Sequence, residues 1–457
     1  MENRRTPFGR RVGRRGMAGL LGLLLLAPSP VLAKGRGVYD TVPLKEREEH
    51  LVKTAGDYEG LFLRRGYRYR DPALDAFLQD LSQRLHPPPT DPYIRYRVFA
   101  FRDPTPNAFA LPDGQIYVNT GMLARLENAA QVASLLAHEV NHTAGHHGIV
   151  FFRSIRKKAL TSMVLSPIGL VVAGDLTPLL LTLRDLFLIQ AILGYSRDLE
   201  EEADRRGLQL VLDAGYDVRE FPRIYEILGQ DPEGLRPQTG VKWSTHPRLQ
   251  DRVAYMREMI ADLEGIDFGQ RKRDTAAFRA LRFPIALMTV GDLVHADLPR
   301  SAVEMGERLV ADYGDDAQAH YALGEAFRAL GPLARIPPDQ PPTEKEKRRA
   351  RRKRAELPRE ERRARLLATE AGRANLAAHL GQAAAAYRRA LDLEPSLTEA
   401  WRGLGLALEE LGEDREAGRA LLAYVRAHPD ATDKSLILET MQRITARLQT
   451  RETVRAE

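Results

Sequence analysis

The stretch LLAHEVNHTAGHHG, residues 135–148, constrains this chain more than any other, because it places four of the eleven histidines within ten positions. Histidines four residues apart lie one above the other on an α-helix, so His138 and His142 aim at one point. The surrounding pattern reads as a helix over roughly 128–147. At about 100° per residue, with His138 as zero, Leu135 falls near 60°, Val132 near 120° and Val140 near 200°. Glu139 falls inside that apolar arc at about 100°. A carboxylate there is destabilising unless its charge serves something nearby.

His138-Glu139-Val140-Asn141-His142 is an H-E-x-x-H arrangement, two imidazoles for one ion with a carboxylate between them. A catalytic zinc takes three protein ligands and leaves a fourth position open. The local candidates for the third fail. The pattern that continues to a histidine six residues beyond His142 meets Gly148 instead. His146 continues the face of His138 and His142, but three ligands spread over eight residues span about 12 Å. His147 projects to the back of such a helix, and both are left to packing or hydrogen bonding. A second helix is the better source. In SRDLEEEADRRG, residues 196–207, Glu200, Asp204, Ala203, Gly207 and Val211 share one face, while Glu201, Glu202, Arg205 and Arg206 occupy a solvated one. Small Ala203 and Gly207 allow close helix approach. Glu200 is therefore assigned as third ligand, and Asp204 as the acceptor that orients a ligand histidine.

The 457-residue length predicts two or three domains, and the absence of cysteine excludes disulfides, thiolate metal sites and cysteine nucleophiles. The net charge of +6 resides in two short segments. Residues 1–33 hold six arginines before the apolar run MAGLLGLLLLA and a small-residue cleavage site after Ala33, which reads as a secretory signal peptide. Residues 343–365 hold twelve Lys/Arg and five Glu, a solvated loop or a contact for anionic lipid. The remainder is net acidic, so no nucleic-acid partner is expected.

Residues 44–64 and 72–85 read as helices, IRYRVFAF as a strand, and NAFALPDGQIYVN as a hairpin turning at Pro112-Asp113-Gly114-Gln115. Residues 159–194 are strongly apolar but interrupted, which suggests buried or site-covering helices and, as an alternative, a membrane-touching element. Helices follow at 196–215 and 248–263. Beyond them Pro395 and Pro429 stand 34 residues apart, the tetratricopeptide period, with Trp401, Leu404, Gly405, Leu408, Ala417 and Leu421 at the motif's spacing. Leu323, Gly324 and Phe327 match an earlier first helix, and Ala383, Tyr387 and Ala390 its second. Gly324 and Gly405 are 81 residues apart, so 47 residues beyond one period are inserted, including the basic segment. A less regular repeat precedes it, with its second helix near 301–312. Stacked helix pairs of this kind normally form a concave binding surface.

The motifs NAFALPDGQIYVNTGML, LLAHEVNHTAGHH, SRDLEEEAD, AGYD and STHP, with Arg252 beyond, occur in this order between about residues 50 and 265. Together they resemble the CAAX-prenyl-protease/HtpX family of gluzincin zinc metallopeptidases, in its periplasmic BepA-like branch. The resemblance implies one zinc ion per chain with Glu200 as third ligand, and adds His246 of the H-P motif as a residue that caps the metal or assists the oxyanion, with Arg252 as a further supporting residue. It also implies export to the periplasm, repeats after the catalytic domain, and misassembled outer-membrane proteins as clients.

The expected fold is α+β, mainly α. A signal peptide (1–33) precedes a zincin-type metallopeptidase domain (34–270) with a small β-hairpin or sheet. A tetratricopeptide-repeat domain (271–457) follows, with the basic insertion at about 332–370. The expected activity is endopeptidase hydrolysis of unfolded or misassembled polypeptides. Glu139 takes a proton from the attacking water and passes it to the leaving amine, and Asn107, Ala108, Phe109 and Ala110 hold the substrate as an added strand. Partners are polypeptide substrates, the outer-membrane assembly machinery through the repeats, and peripheral membrane contact. Two alternatives accompany this reading: a repeat-based chaperone or adaptor with a gated or silent protease domain, and a membrane-embedded peptidase if 159–194 inserts in lipid.

Overall fold

The computed structural model describes residues 44–55, 57–85, 93–151, 153–154, 195–230, 249–263, 265–314, 316–331, 364 and 367–456. These residues belong to one compact unit, Thr41–Glu457. The signal-peptide expectation, the apolar segment 159–194, His246 and nearly all of the basic segment lie outside the described residues. The fold is mainly helical with one small sheet.

Helices α1 (Glu46–Ala55), α2 (Asp57–Arg64) and α3 (Pro72–Leu85) come first. The start of α3 is locally encoded. Asp71 Oδ1 accepts from the N–H groups of Ala73 and Leu74 at 2.9 and 3.1 Å, and Pro72 needs no donor at the first helical position. Leu74, Leu78, Leu81 and Leu85 then form one buried face.

The sheet has the order β1–β3–β2, with β1 Arg97–Phe101, β2 Ala108–Ala110 and β3 Gln115–Asn119. The hairpin read from the sequence is β2–β3, paired antiparallel with Phe109 opposite Tyr117. β1 joins β3 in parallel, Phe99 opposite Tyr117, a pairing that local patterning does not reveal. The turn requires glycine: Gly114 has φ of 94°, and a Cβ there would lie 2.6 Å from the Arg95 carbonyl. Side chains alternate across the sheet. Val98, Ala100, Ile116 and Val118 join the main core, whereas Phe99, Tyr117 and Phe62 form a second cluster with Phe101 and Phe109 packed on it. The central strand β3 is consequently buried along its whole length.

Next come α4 (Thr120–Arg125), α5 (Ala129–Ala144), α6 (Arg197–Asp213), α7 (Glu220–Gly229) and α8 (Leu249–Ala261). Asn128 caps α5 by accepting from Gln131 N at 2.9 Å, and its amide donates to Glu220 Oε2 on α7 at 3.0 Å. The histidine helix is thus anchored at its start by a second element.

Helices α9 (Thr275–His295), α10 (Pro299–Tyr313), α11 (Ala317–Leu330), α12 (Glu370–Leu393), α13 (Glu399–Leu411), α14 (Asp414–Ala427) and α15 (Lys434–Ala456) complete the chain, each packed on the next. The fully buried Tyr387 ring explains two glycines: a Cβ on Gly324 would meet it at 2.7 Å and one on Gly403 at 2.3 Å. Gly405 meets Leu421 in the same manner, at 2.6 Å. The pair Gly324–Tyr387 therefore recurs as Gly405–Leu421, with Tyr387 and Leu421 34 residues apart. Guanidinium groups from α9 and α10 satisfy carbonyls at the end of α4: Arg282 reaches Leu126 O at 2.9 Å and Arg308 reaches Arg125 O at 3.1 Å. Among the described residues no helix is long and apolar enough to cross a membrane.

Candidate metal centre and active site

α5 and α6 lie side by side, and the small residues expected to permit this do so. A Cβ on Gly207 would stand 3.3 Å from the backbone nitrogen of His138 and 3.2 Å from the Phe221 ring. Ala203 is fully buried. This approach brings Glu200 to the histidine pair. His138 Nε2 and His142 Nε2 are 2.9 Å apart, and the Glu200 carboxylate lies 3.5 Å from the first and 3.9 Å from the second. All three residues are buried, and one ligand atom from each falls within 4.8 Å of the others.

Asp204, one turn beyond Glu200, accepts from His138 Nδ1 at 2.8 Å. With Nδ1 donating, His138 Nε2 offers its lone pair to the centre. Asp204 in turn is held by Tyr225 Oη at 2.8 Å, by Arg252 Nε and Nη2 at 2.9 and 2.6 Å, and by Tyr255 Oη. The Arg252 guanidinium also stacks 4.0 Å over the Tyr225 ring and reaches Glu200 Oε2 at 2.8 Å. On the far side of the pair, the Tyr195 ring stacks on His142 with centroids 3.9 Å apart.

Burial opposes the charged form of Asp204, but Arg252 and the His138 bond outweigh it and hold its carboxyl well below the usual range. Burial also opposes a charged His138, yet the bonds to Asp204 and Glu200 raise its pKa to about 9. His142 moves the other way, well below the ordinary value, through burial and then the charge of His138. Both influences favour the neutral imidazole. Two neutral-capable imidazoles and a carboxylate form the donor set of a catalytic zinc site, so the residues fit the ion.

Glu139 is 7 % exposed, and its pKa is pushed up to about 7, first by burial and then by the Glu200 carboxylate, with His138 opposing. The N–H of Ala110 donates to it. That bond shows how β2 faces the site. Asn119 N donates to Asn107 O at 2.9 Å and Leu111 N to Gln115 O at 2.7 Å, so the odd-numbered residues of β2 pair with β3. The N–H and C=O groups of Ala108 and Ala110 point the opposite way, along the edge beside α5, where the Ala110 N–H is taken up by Glu139.

Every site residue expected from the sequence and described here, apart from the substrate strand at the edge, gathers around one point: His138, Glu139, His142, Glu200, Asp204 and Arg252. His246 lies outside the described residues. One placement differs from the sequence reading. His147 is not on the back of α5, because that helix ends at Ala144 and a turn at Gly145–His146 redirects the chain before it becomes helical again, bringing His147 Nδ1 to 2.8 Å from His142 Nδ1. Tyr195, Tyr225 and Tyr255 were not found from sequence. Tyr255, three residues beyond Arg252 on α8, shares its face, which is the one signal available.

Fold and site together define a metallopeptidase-type centre, in which an H-E-x-x-H helix is completed by a glutamate from a second helix. Residues 69–275 match the model of peptidase family M48, and the chain carries a domain of that family. It is 30% identical over 186 residues to "Mitochondrial metalloendopeptidase OMA1" of Schizosaccharomyces pombe, covering 40% of this chain and 50% of that protein. It is 36% identical over 160 residues to the protein of that name in Arabidopsis thaliana, covering 35% and 30%. To the "Beta-barrel assembly-enhancing protease" of Escherichia coli it is 27% identical over 196 residues, covering 41% and 39%. The chain thus spans half or less of the length of these relatives.

Proposed function

We propose that this chain is a zinc-dependent endopeptidase of an exported, periplasmic setting, acting on unfolded or misassembled polypeptides. The observation that carries the activity is the convergence of His138, His142 and Glu200 beside a buried Glu139 poised near neutral pH. A zinc ion held by those three residues supplies Lewis acidity, polarising the scissile carbonyl and acidifying water. Glu139 does the proton work: with a pKa of about 7 it can accept a proton from the attacking water and return it to the leaving amine. Asp204 keeps the His138 ring in place while charge changes beside it. Chelation should abolish cleavage of casein by the full chain, and stoichiometric zinc should restore it. Cleavage that persists in the chelated, zinc-free protein would rule the assignment out.

The free edge of β2 supports the way substrate is held. An extended peptide pairing with the N–H and C=O of Ala108 and the C=O of Ala110 would lie antiparallel across Glu139, and only an unfolded segment can present such a strand. N-methylation of the substrate amides that pair with this edge should lower kcat/KM by ten-fold or more, as about 1.4 kcal/mol or more of backbone hydrogen bonding is lost. Equal turnover of methylated and plain peptides would remove edge pairing from the proposal.

The envelope setting draws on the N-terminal segment 1–33 and on the printed name of the Escherichia coli relative. The helix pairs from α11 to α14, with their recurring glycine contacts, are read as tetratricopeptide repeats that recruit clients or the outer-membrane assembly machinery. A chain that binds zinc and clients without cleaving them would favour the adaptor reading.

A further inference from the structure

α5 is separated from the helical residues that follow by a two-residue turn at Gly145–His146. Gly145 closes the helix, its N–H bonding to Asn141 O at 2.9 Å. His146 then adopts φ of 49°, a left-handed conformation that non-glycine residues rarely take and that clusters where function demands it. The result is that the His147 ring folds back over Gly145. A Cβ at residue 145 would meet His147 Nε2 at 2.4 Å, so glycine makes the room. The buried ring lands with Nδ1 against His142 Nδ1, at 2.8 Å. Its other nitrogen, Nε2, faces Glu202 Oε2 at 3.7 Å, and Glu202 pairs with Arg206 at 2.9 Å.

Only one proton arrangement suits both nitrogens and the ligand role of His142. His142 must keep the lone pair on Nε2, so its Nδ1 carries the proton and donates to His147 Nδ1. His147 then carries its own proton on Nε2, the nitrogen that lies 3.7 Å from the Glu202 carboxylate. We propose that His147 is a positioning residue that fixes the tautomer and ring orientation of His142, delivered by the Gly145–His146 turn. It does for the second histidine what Asp204 does for the first. This inference rests on the proposed ligand role of His142.

The test is zinc affinity of the full chain, measured by competition with a chromophoric chelator, for the parent, His147→Leu, His147→Asn and Gly145→Ala. His147→Leu removes the acceptor, and Gly145→Ala displaces the ring without altering it; each should weaken zinc binding about 10- to 100-fold. His147→Asn loses the ring's packing but retains an amide oxygen near the Nδ1 position, and it should bind within a few-fold of the parent. In the zinc-loaded parent, ¹⁵N shifts should show His147 protonated on Nε2 and accepting at Nδ1. Equal losses in the Leu and Asn variants would mean packing alone and would overturn the proposal, as would parent-like affinity in His147→Leu and Gly145→Ala. A parent that binds no zinc would instead bring down the ligand assignment, and this inference with it.

Discussion

Glu139→Gln is expected to bind one zinc ion per chain as the parent does, while cleaving casein about 10²- to 10⁴-fold more slowly, the usual contribution of a positioned general base. Metal retention follows because Glu139 is not among the three converging ligand residues. The loss of rate follows from its environment. In the metal-free chain burial and the neighbouring Glu200 bring its pKa to about 7, the range suited to a general base. Glutamine preserves the size and can still meet the Ala110 N–H, but it cannot accept a proton. Metal content by atomic absorption and initial cleavage rates decide the matter together. A variant with full zinc and undiminished rate would remove Glu139 from the mechanism.

The second large effect concerns stability. Asp204 is completely buried, and Arg252 is 3 % exposed. Removing Asp204 leaves the buried Arg252 with Glu200 as its remaining carboxylate partner, and breaking a buried pair in this way typically costs about 3–5 kcal/mol. Asp204→Ala is therefore expected to lower the unfolding free energy of the metal-free chain by about that amount. Tyr255→Phe, which removes one hydroxyl donor and leaves the ion pair, should cost only about 1 kcal/mol. Denaturant unfolding of the two variants beside the parent gives the comparison. If Asp204→Ala matched Tyr255→Phe, the Asp204–Arg252 pair would not be the strut that the geometry makes it. Its loss should also free the His138 ring, so zinc affinity is expected to fall along with stability.

Much of this site could be read before any coordinates, because its parts are periodic. His138 and His142 share a face by the four-residue rule, and Glu139 stands out as a carboxylate in an apolar arc. Glu200, Asp204, Ala203 and Gly207 were found the same way, as one face of a second helix. The hairpin turn at Gly114 and the recurring glycines 324 and 405 were equally legible, since a turn or a close approach restricts residue choice at that position. His246 entered only through a family resemblance.

What escaped the sequence has a common physical character. His147 was placed by extending a helix that in fact stops at Ala144; a single left-handed residue, His146, redirected the ring by more than any periodicity could anticipate. The parallel pairing of β1 with β3 joins segments whose local patterns carry no information about each other. Tyr195 and Tyr225 reach the ligand shell from elements outside the two motif helices, and hydrogen bonds between distant elements leave no spacing to detect.

The sequence by itself determined which side chains could bind the metal and which could move a proton, because those roles depend on residue type and on one-dimensional spacing. Only the tertiary structure decided how each ligand is held: Asp204 locked by Arg252 and two tyrosines, His142 backed by His147 and covered by Tyr195, and Glu139 aligned by a strand edge. Those arrangements depend on distances between elements far apart in the chain. Such distances are fixed by packing, here by the close approach that Gly207 permits, and not by any local rule.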